Sequence, residues 1–372
     1  MKPFLHTNAL TVRQAVAALG RYGGTARLNA GGTDLFGLLK DEFLPAYPEA
    51  IINIKTVRGL NYIRENAGML RIGALTRLVD MVKSPLLKQR CSALAEAANA
   101  VASPQIRNVA TLGGNLCQDV RCCYYRYPRH IGGPINCARK GNGPCQAVKG
   151  DNRTHAILAG KRCFAVCPSD TAVALVLYDA RLLVAGPSGK RLIAVRDFYT
   201  PLGNQLASDE MVTEVQIPTF TEPVQQAFHK FTLRKPIDFA VVSVAVLVAA
   251  QDGICTDARI ALGAVAHGVV RAVAAEKFLR GRSITAETAA QAGALALADA
   301  KPLSRNAYKI QIAQTLVARA LLGQVSADTG IDSHSYDPTE LSTFHRCSGA
   351  SSDAYATVVA SGSGAQVPCD SK

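Results

Sequence analysis

The sequence predicts an α+β chain of more than one packed unit, on three observations. Its 372 residues exceed the usual size of a single domain. It is 48% hydrophobic and 19% charged, which supplies enough apolar side chain for substantial cores. Short runs that alternate as strands do are interleaved with stretches of helical period.

Thr11 stands where a helix cap is wanted, ahead of VRQAVAALGRYG, and Gly23–Gly24 end that helix. The apolar segment ARLNA then leads into the loop GGTD and the amphipathic stretch LFGLLKDEF. EAIINIKTV and MLRIGAL alternate like strands. Helical patterns follow at 76–83 and 88–101, then the loop VATLGGNLCQ and a cysteine-rich stretch from 117 to 167. Regular pattern returns at Ser169, with a helix (DTAVALVLYDA) and two strands (RLLVAG, MVTEVQIP). A Pro-containing linker at 218–224 marks a boundary. Beyond it, strands at 227–233, 238–249 and 256–264 precede Ala-rich helices at 270–280, 285–299 and 304–322, a module of three strands and three helices. Residues 328–372 are rich in Ser, Gly and Asp, lack periodicity and read as a disordered tail.

The longest apolar run, FAVVSVAVLVAA at 239–250, is too short to span a bilayer, and its β-branched content reads as a buried strand. The opening MKPFLHTNALTVRQAV lacks a hydrophobic signal core, so no export signal is expected on this chain. A net charge of +13 is compatible with nucleic acid, an anionic cofactor or an acidic partner chain. That charge is concentrated: from Arg121 to Arg162 there are nine Lys/Arg against one acid, Asp151. The same region, beginning RCCYYRYPRHIGGPINCARKGNGPC, contributes to a group of seven cysteines between 117 and 167, out of eleven in the chain. Disulfide frameworks belong mainly to small secreted domains. Clustered thiols in a longer chain favour metal ligation instead.

Two loops carry paired glycines with small polar neighbours. Asn29-Ala30-Gly31-Gly32-Thr33-Asp34 follows a strand and opens a helix at Leu35; Thr111-Leu112-Gly113-Gly114-Asn115 is the second. Paired glycines bring backbone N–H groups close to a phosphate, and a helix N-terminus adds about half a positive charge toward it. A lone Gly-Gly is more often only a turn. Two such loops suggest a pyrophosphate held from both sides.

AGGTDL at 30–35, IRNVATLGGNL at 106–116, PSD at 168–170 and RDFY at 196–199 resemble the FAD-binding medium subunit of the xanthine dehydrogenase family of molybdenum hydroxylases. The resemblance covers 1–325. It implies a PCMH-type FAD-binding domain over 1–220, made of two α/β subdomains (about 1–55 and 56–220) with the cysteine-rich insert at 117–167. A three-stranded sheet with three helices, of the CO dehydrogenase flavoprotein C-terminal type, follows at 225–325. By the same match, Asn29 through Leu35 and Thr111 through Asn115 hold the flavin pyrophosphate, and Asp170 meets the adenosine half of FAD. Lys230 and Tyr199 are further carry-overs. Read locally, Asp170 is equally a helix cap or first-turn acid, Lys230 a solvated strand residue and Tyr199 a core tyrosine.

The interval from 115 to 169 is long for this family, and its Cys122, Cys137, Cys145 and Cys163 are spaced C-x14-C-x7-C-x17-C. This resembles members with an additional [4Fe-4S] cluster, such as the flavin subunits of periplasmic aldehyde oxidoreductase and 4-hydroxybenzoyl-CoA reductase. The resemblance implies these four cysteines as ligands. Long irregular spacing suits a loop that wraps a cubane, and the surplus Lys/Arg offsets the charge of its thiolates. Adjacent Cys123 leaves the register of the first ligand open. Structural zinc favours short knuckles, which only Cys163-x3-Cys167 approaches. Cys117 and Cys167 read as packed thiols, and His155 as a structural hydrogen-bonding residue.

The implied role is electron transfer, with no catalytic residue of substrate chemistry on this chain. The implied partners are a small [2Fe-2S] subunit, a large molybdenum-cofactor subunit and an external electron acceptor, with no nucleic acid and no membrane span. Aldehyde oxidation is the preferred activity, and a 4-hydroxybenzoyl-CoA reductase-like or xanthine dehydrogenase-like enzyme is the alternative. Location is either periplasmic, by co-export with a signal-bearing partner, or cytoplasmic. From another class, a metal-loop nucleic-acid-binding protein would explain the basic Arg/Tyr-rich loop. A stand-alone flavin oxidase lacks support, since neither glycine loop contains a flavin-linking His.

Overall fold

A computed structural model describes residues 1–220, 224–235 and 237–323. The tail expected at 328–372 lies outside the described residues, as does part of the 218–224 linker. The described residues belong to one compact unit.

The chain opens with a small parallel sheet. Strands β1 (Leu5–Asn8), β2 (Ala26–Asn29) and β3 (Ala50–Asn53) pair in the order β1-β3-β2, with β3 central. Helix α1 (Val12–Arg21) links β1 to β2, and α2 (Leu35–Asp41) links β2 to β3. Thr11 caps α1 as expected, its hydroxyl accepting from Gln14 N at 3.2 Å. Because β2 ends at Asn29 and α2 begins at Leu35, the first glycine loop is held at the C-terminal edge of a parallel sheet. Crevices at such edges are where ligands bind in open α/β sheets.

A five-stranded antiparallel sheet follows. It contains β4 (Ile63–Asn66), β5 (Met69–Gly73), β6 (Arg181–Gly186), β7 (Gly189–Ala194) and β10 (Met211–Pro218), in the order β4-β5-β10-β6-β7. Its helices are α3 (Leu78–Lys83), α4 (Pro85–Arg90), α5 (Ser92–Asn99), α6 (Pro104–Arg107), α7 (Leu112–Cys117), α8 (Asp170–Leu177) and α9 (Val195–Phe198). A short hairpin, β8 (Tyr199–Thr200) and β9 (Gly203–Asn204), precedes β10. The helix expected over 88–101 is two helices, interrupted at Cys91, whose φ of −141° leaves the helical region. Every residue of α8 is buried, in keeping with a sequence that is apolar on all sides after Asp170 and Thr171.

The last sheet is antiparallel: β11 (Gln225–Phe231), β12 (Val242–Gln251), β13 (Ile254–Gly263) and β14 (Val270–Arg271), in that order. It therefore has four strands rather than three. Residues 270 and 271, read from the sequence as the start of a helix, instead pair with Leu262 and Ala261. Helices α10 (Val273–Leu279), α11 (Ala286–Ala296) and α12 (Tyr308–Leu321) pack with β12 and β13 into one apolar core. The 117–167 insert has three short 3-10 turns and no strand, and is otherwise irregular.

Candidate functional site

The two glycine loops meet. The backbone of Val109–Ala110 lies directly against Gly31. A Cβ there would stand 2.9 Å from the Ala110 Cα and closer still to the Val109 carbonyl oxygen. Gly32 adopts φ +74°, a conformation that glycine takes without steric cost. On the other side, Gly113 N donates to Ala74 O at 2.8 Å, and the Thr111 hydroxyl caps α7 by accepting from Gly114 N at 3.2 Å. Between the loops opens a cleft of about 780 Å³, within the usual range for ligand sites. Ala30, Gly31, Gly32, Thr33, Asp34 and Leu35 line it from one loop; Thr111, Gly113, Gly114 and Asn115 line it from the other. Asp170, Tyr199 and Lys230 also face it. Asn29 and Leu112, expected among these residues, do not. Leu112 is wholly buried in the main core, and Asn29 is buried behind its loop with Oδ1 unpartnered.

Asp170 and Lys230 form a buried pair. Lys230 Nζ donates to Asp170 Oδ2 at 2.7 Å and to Ala100 O at 2.8 Å, with side chains only 8% and 6% exposed for Lys and Asp. Burial pushes the Asp170 pKa up, and the Lys230 ammonium opposes that shift. Lys230 is thus not a solvated strand residue. Asp170 occupies the first turn of α8 while Ser169 caps it, the Ser169 hydroxyl accepting from Ala172 N at 3.1 Å. Asn115 ties the second loop to this turn: its Oδ1 accepts from the Ser169 hydroxyl at 2.7 Å and from the Thr171 hydroxyl at 2.6 Å. Tyr199 OH donates to Leu116 O at 3.0 Å, behind the same loop.

The insert is fastened to the first loop by charge. Asp34 accepts from Arg126 at 2.6 Å, from Arg121 at 2.8 Å and, through its other oxygen, from Asp119 N at 2.9 Å. Asp119 in turn accepts from Arg139 at 2.8 Å and from Tyr125 OH at 2.6 Å. Burial lowers the Arg121 pKa, while Asp34 favours the charged form. Three of the insert's basic residues are therefore turned inward onto two carboxylates. Sequence reasoning missed Asp119, Tyr125, Arg126 and Arg139 as a unit. Asp119, the acid that anchors Arg139 and Tyr125, lies two residues ahead of the basic run that starts at Arg121.

Cys122, Cys137, Cys145 and Cys163 line a second, much smaller cavity of about 10 Å³, together with Tyr124, Tyr125 and Arg139. All four thiols are free, and exposed Cys123 does not line the cavity. A hydrogen bond from Cys163 draws the Cys145 pKa down to about 6, against the effect of burial. The reciprocal contact pushes Cys163 up. Cys122 is likewise paired with Cys123, which raises its pKa. With the thiols paired in this way the void is about the size of one water molecule. No group of three or more His, Cys, Asp or Glu among the described residues is placed to hold a metal ion in this arrangement. The donor set itself, four cysteines around one void, matches the all-thiolate ligation of a cubane.

His155 is buried with Nε2 3.2 Å from Cys122 Sγ, and burial, with Lys309 nearby, lowers its pKa to about 4. Cys167 is buried as expected, whereas Cys117 is exposed on the wall of the large cleft. No helix among the described residues is long and apolar enough to cross a membrane.

Residues 2–220 match the family model described as the FAD binding domain in molybdopterin dehydrogenase, and 226–324 match the CO dehydrogenase flavoprotein C-terminal domain. The chain is 34% identical over 333 residues to the aldehyde oxidoreductase FAD-binding subunit PaoB of Escherichia coli, covering 86% of this chain and 98% of that one. It is 30% identical over 318 residues to the carbon monoxide dehydrogenase medium chain of Hydrogenophaga pseudoflava, covering 84% and 93%. Among solved structures, carbon monoxide dehydrogenase from Hydrogenophaga pseudoflava superposes with a TM-score of 0.69 at 29% identity, covering 87% of this chain and 98% of that chain. Quinoline 2-oxidoreductase from Pseudomonas putida gives a TM-score of 0.68 at 25% identity, covering 87% and 98%.

Proposed function

The chain belongs to the xanthine dehydrogenase/CO dehydrogenase family of FAD-binding medium subunits, and from that premise we propose that it is the electron-transfer subunit of a heterotrimeric aldehyde-oxidising molybdenum hydroxylase, carrying FAD and a [4Fe-4S] cluster. One observation carries the reading: a ligand-sized cleft between two glycine loops lies beside a void lined by four cysteines. When bound, the flavin interconverts two-electron and one-electron traffic, and the cluster either relays single electrons or braces the insert.

The residues of this chain do the holding. Gly31, Gly32 and Thr33 on one side and Thr111, Gly113, Gly114 and Asn115 on the other would take the pyrophosphate, with Asp170, Lys230 and Tyr199 lining the rest of the cleft. Asp34 keeps the first loop fastened to the insert. Cys122, Cys137, Cys145 and Cys163 would take the cluster; Cys122 is chosen over Cys123 because only Cys122 lines the void. To hold a cluster, the void lined by these four cysteines would have to widen. Substrate chemistry, a large molybdenum-cofactor subunit, a small [2Fe-2S] subunit and the external acceptor lie off this chain in this reading. The 34% relative's printed activity favours aldehydes over xanthine or a thioester. The FAD-binding part runs to about 220, and the chain works in the cytoplasm or, co-exported with its partners, in the periplasm. The inward pairing of Arg121, Arg126 and Arg139 accounts for part of the basic charge without nucleic acid.

Anaerobic reconstitution of the full chain tests the proposal. The expected product is yellow and holds about four irons, the content of one cubane. Serine at 122, 137, 145 or 163 should abolish iron uptake, and Cys123→Ser should retain it. A wild-type chain that takes up flavin but no iron would refute the cluster.

A further inference from the structure

Tyr125 and Arg139 are the two residues that line both cavities. The wall between the flavin cleft and the cysteine void is therefore, at this point, one side chain thick. The Arg139 guanidinium reaches Asp119 Oδ1 through Nη2 at 2.8 Å and through Nε at 3.2 Å, and its side chain is only 12% exposed. It also lies over the Tyr125 ring, 5.5 Å from the centroid. Tyr125 OH donates to the other Asp119 oxygen at 2.6 Å, so one carboxylate fixes both members of the wall. Asp119 lines the flavin cleft but not the cysteine void. The result is a cation fixed between two sites that each gain negative charge on reduction. A charge screened from water acts more strongly on both than one on the surface.

We propose that Arg139, held by Asp119 in the wall between the two cavities, is a potential-setting residue shared by both redox centres and raises the reduction potential of each. This rests on the cofactor assignment above and goes beyond it, since neither the cleft nor the cysteine set requires a common charge. Tyr125 is the positioning residue that keeps the Asp119 carboxylate turned toward the wall.

The test is a potentiometric titration of the loaded full chain, with the flavin followed by visible absorbance and the cluster by electron paramagnetic resonance. Arg139→Gln should lower both potentials. For the cluster the expected shift is about tenfold in the one-electron equilibrium, roughly 59 mV. Arg139→Lys should restore most of the shift, because it returns the charge. Asp119→Asn should move both potentials upward, because it removes the opposing charge. That opposite sign separates a field from loosened packing, which would move the two variants together. Four irons in the wild type with potentials unmoved in Arg139→Gln, or moved at one centre only, would overturn the shared role while leaving the cofactor assignment intact. A wild type without iron would overturn the assignment and the sharing with it.

Discussion

Replacing Lys230 with Met isolates the buried pair at the cleft. The substitution keeps the aliphatic stem but deletes the ammonium that donates to Asp170 at 2.7 Å and to Ala100 O at 2.8 Å. Asp170 is then a carboxylate with 5% exposure that has lost its counter-charge. Breaking one partner out of a buried pair costs about 3–5 kcal/mol while the survivor stays ionised. Asp170 can escape by taking up a proton, since its pKa is already raised by burial and loses the opposing effect of Lys230. The sign follows. A carboxyl whose folded pKa lies above its unfolded value binds more protons in the native state, so stability falls as pH rises through the folded pKa. The deficit of Lys230→Met against wild type should be about 3–5 kcal/mol while Asp170 stays ionised and should shrink as pH falls toward the ordinary carboxylate range. Adding Asp170→Asn should recover most of it. Urea unfolding of the flavin-free chain by circular dichroism reads this directly. A deficit under about 1 kcal/mol, or one independent of pH, would refute the argument that these two charges compensate each other in a desolvated site.

Other perturbations test the neighbouring contacts. Gly31→Ala drives a Cβ into the Val109 carbonyl and should prise the two glycine loops apart, with flavin content falling by at least about tenfold for a loss of about 1.4 kcal/mol in binding; fluorescence quenching titration measures it. Asn115→Ala leaves the buried Ser169 and Thr171 hydroxyls without their acceptor and should cost about 1–3 kcal/mol in urea unfolding, with weaker flavin retention. Lys309 is fully buried, donates to His155 O and Ala264 O, and has its pKa lowered to about 7 by burial. Between that value and about 10.4 the unfolded chain binds more protons than the native one, so wild-type stability should rise with pH relative to Lys309→Met, by at most about 5 kcal/mol. Unfolding free energies of both proteins at three pH values across that window check the slope.

The elements that were legible are those with a strong local signal. Thr11 and Gly23–Gly24 bracket α1, the largely apolar α8 is fully buried, and the β-branched run at 239–250 covers β12 up to its last residue. Strand β1 went unread because its four residues are all exposed and carry no alternation; its pairing is set by β3, far along the chain. The fourth strand of the last sheet is two residues long and too short to show a period. Loops and thiols were visible as motifs, but their neighbours were not. Asp34 and Arg126 are 92 residues apart, and nothing local in GGTD or RCCYYRY announces that they meet.

That long-range pairing changes what the basic insert means. Read as a sequence, the run from Arg121 to Arg162 is a surface charge in search of an anion. Folded, Arg121 and Arg126 grip the acid of the first glycine loop, and Arg139 grips Asp119 between the two cavities. The side chains that fold the insert back are thus the ones that place four cysteines next to the cleft. Fastening and charge supply are one function here. An insert held only by surface contacts would leave the thiols free to wander from the flavin loops, whereas one held through Asp34 ties the cysteine void to the loop expected to grip the pyrophosphate. Asp34→Asn should therefore weaken two properties together, flavin retention and iron uptake, although Asp34 lines only the first cavity.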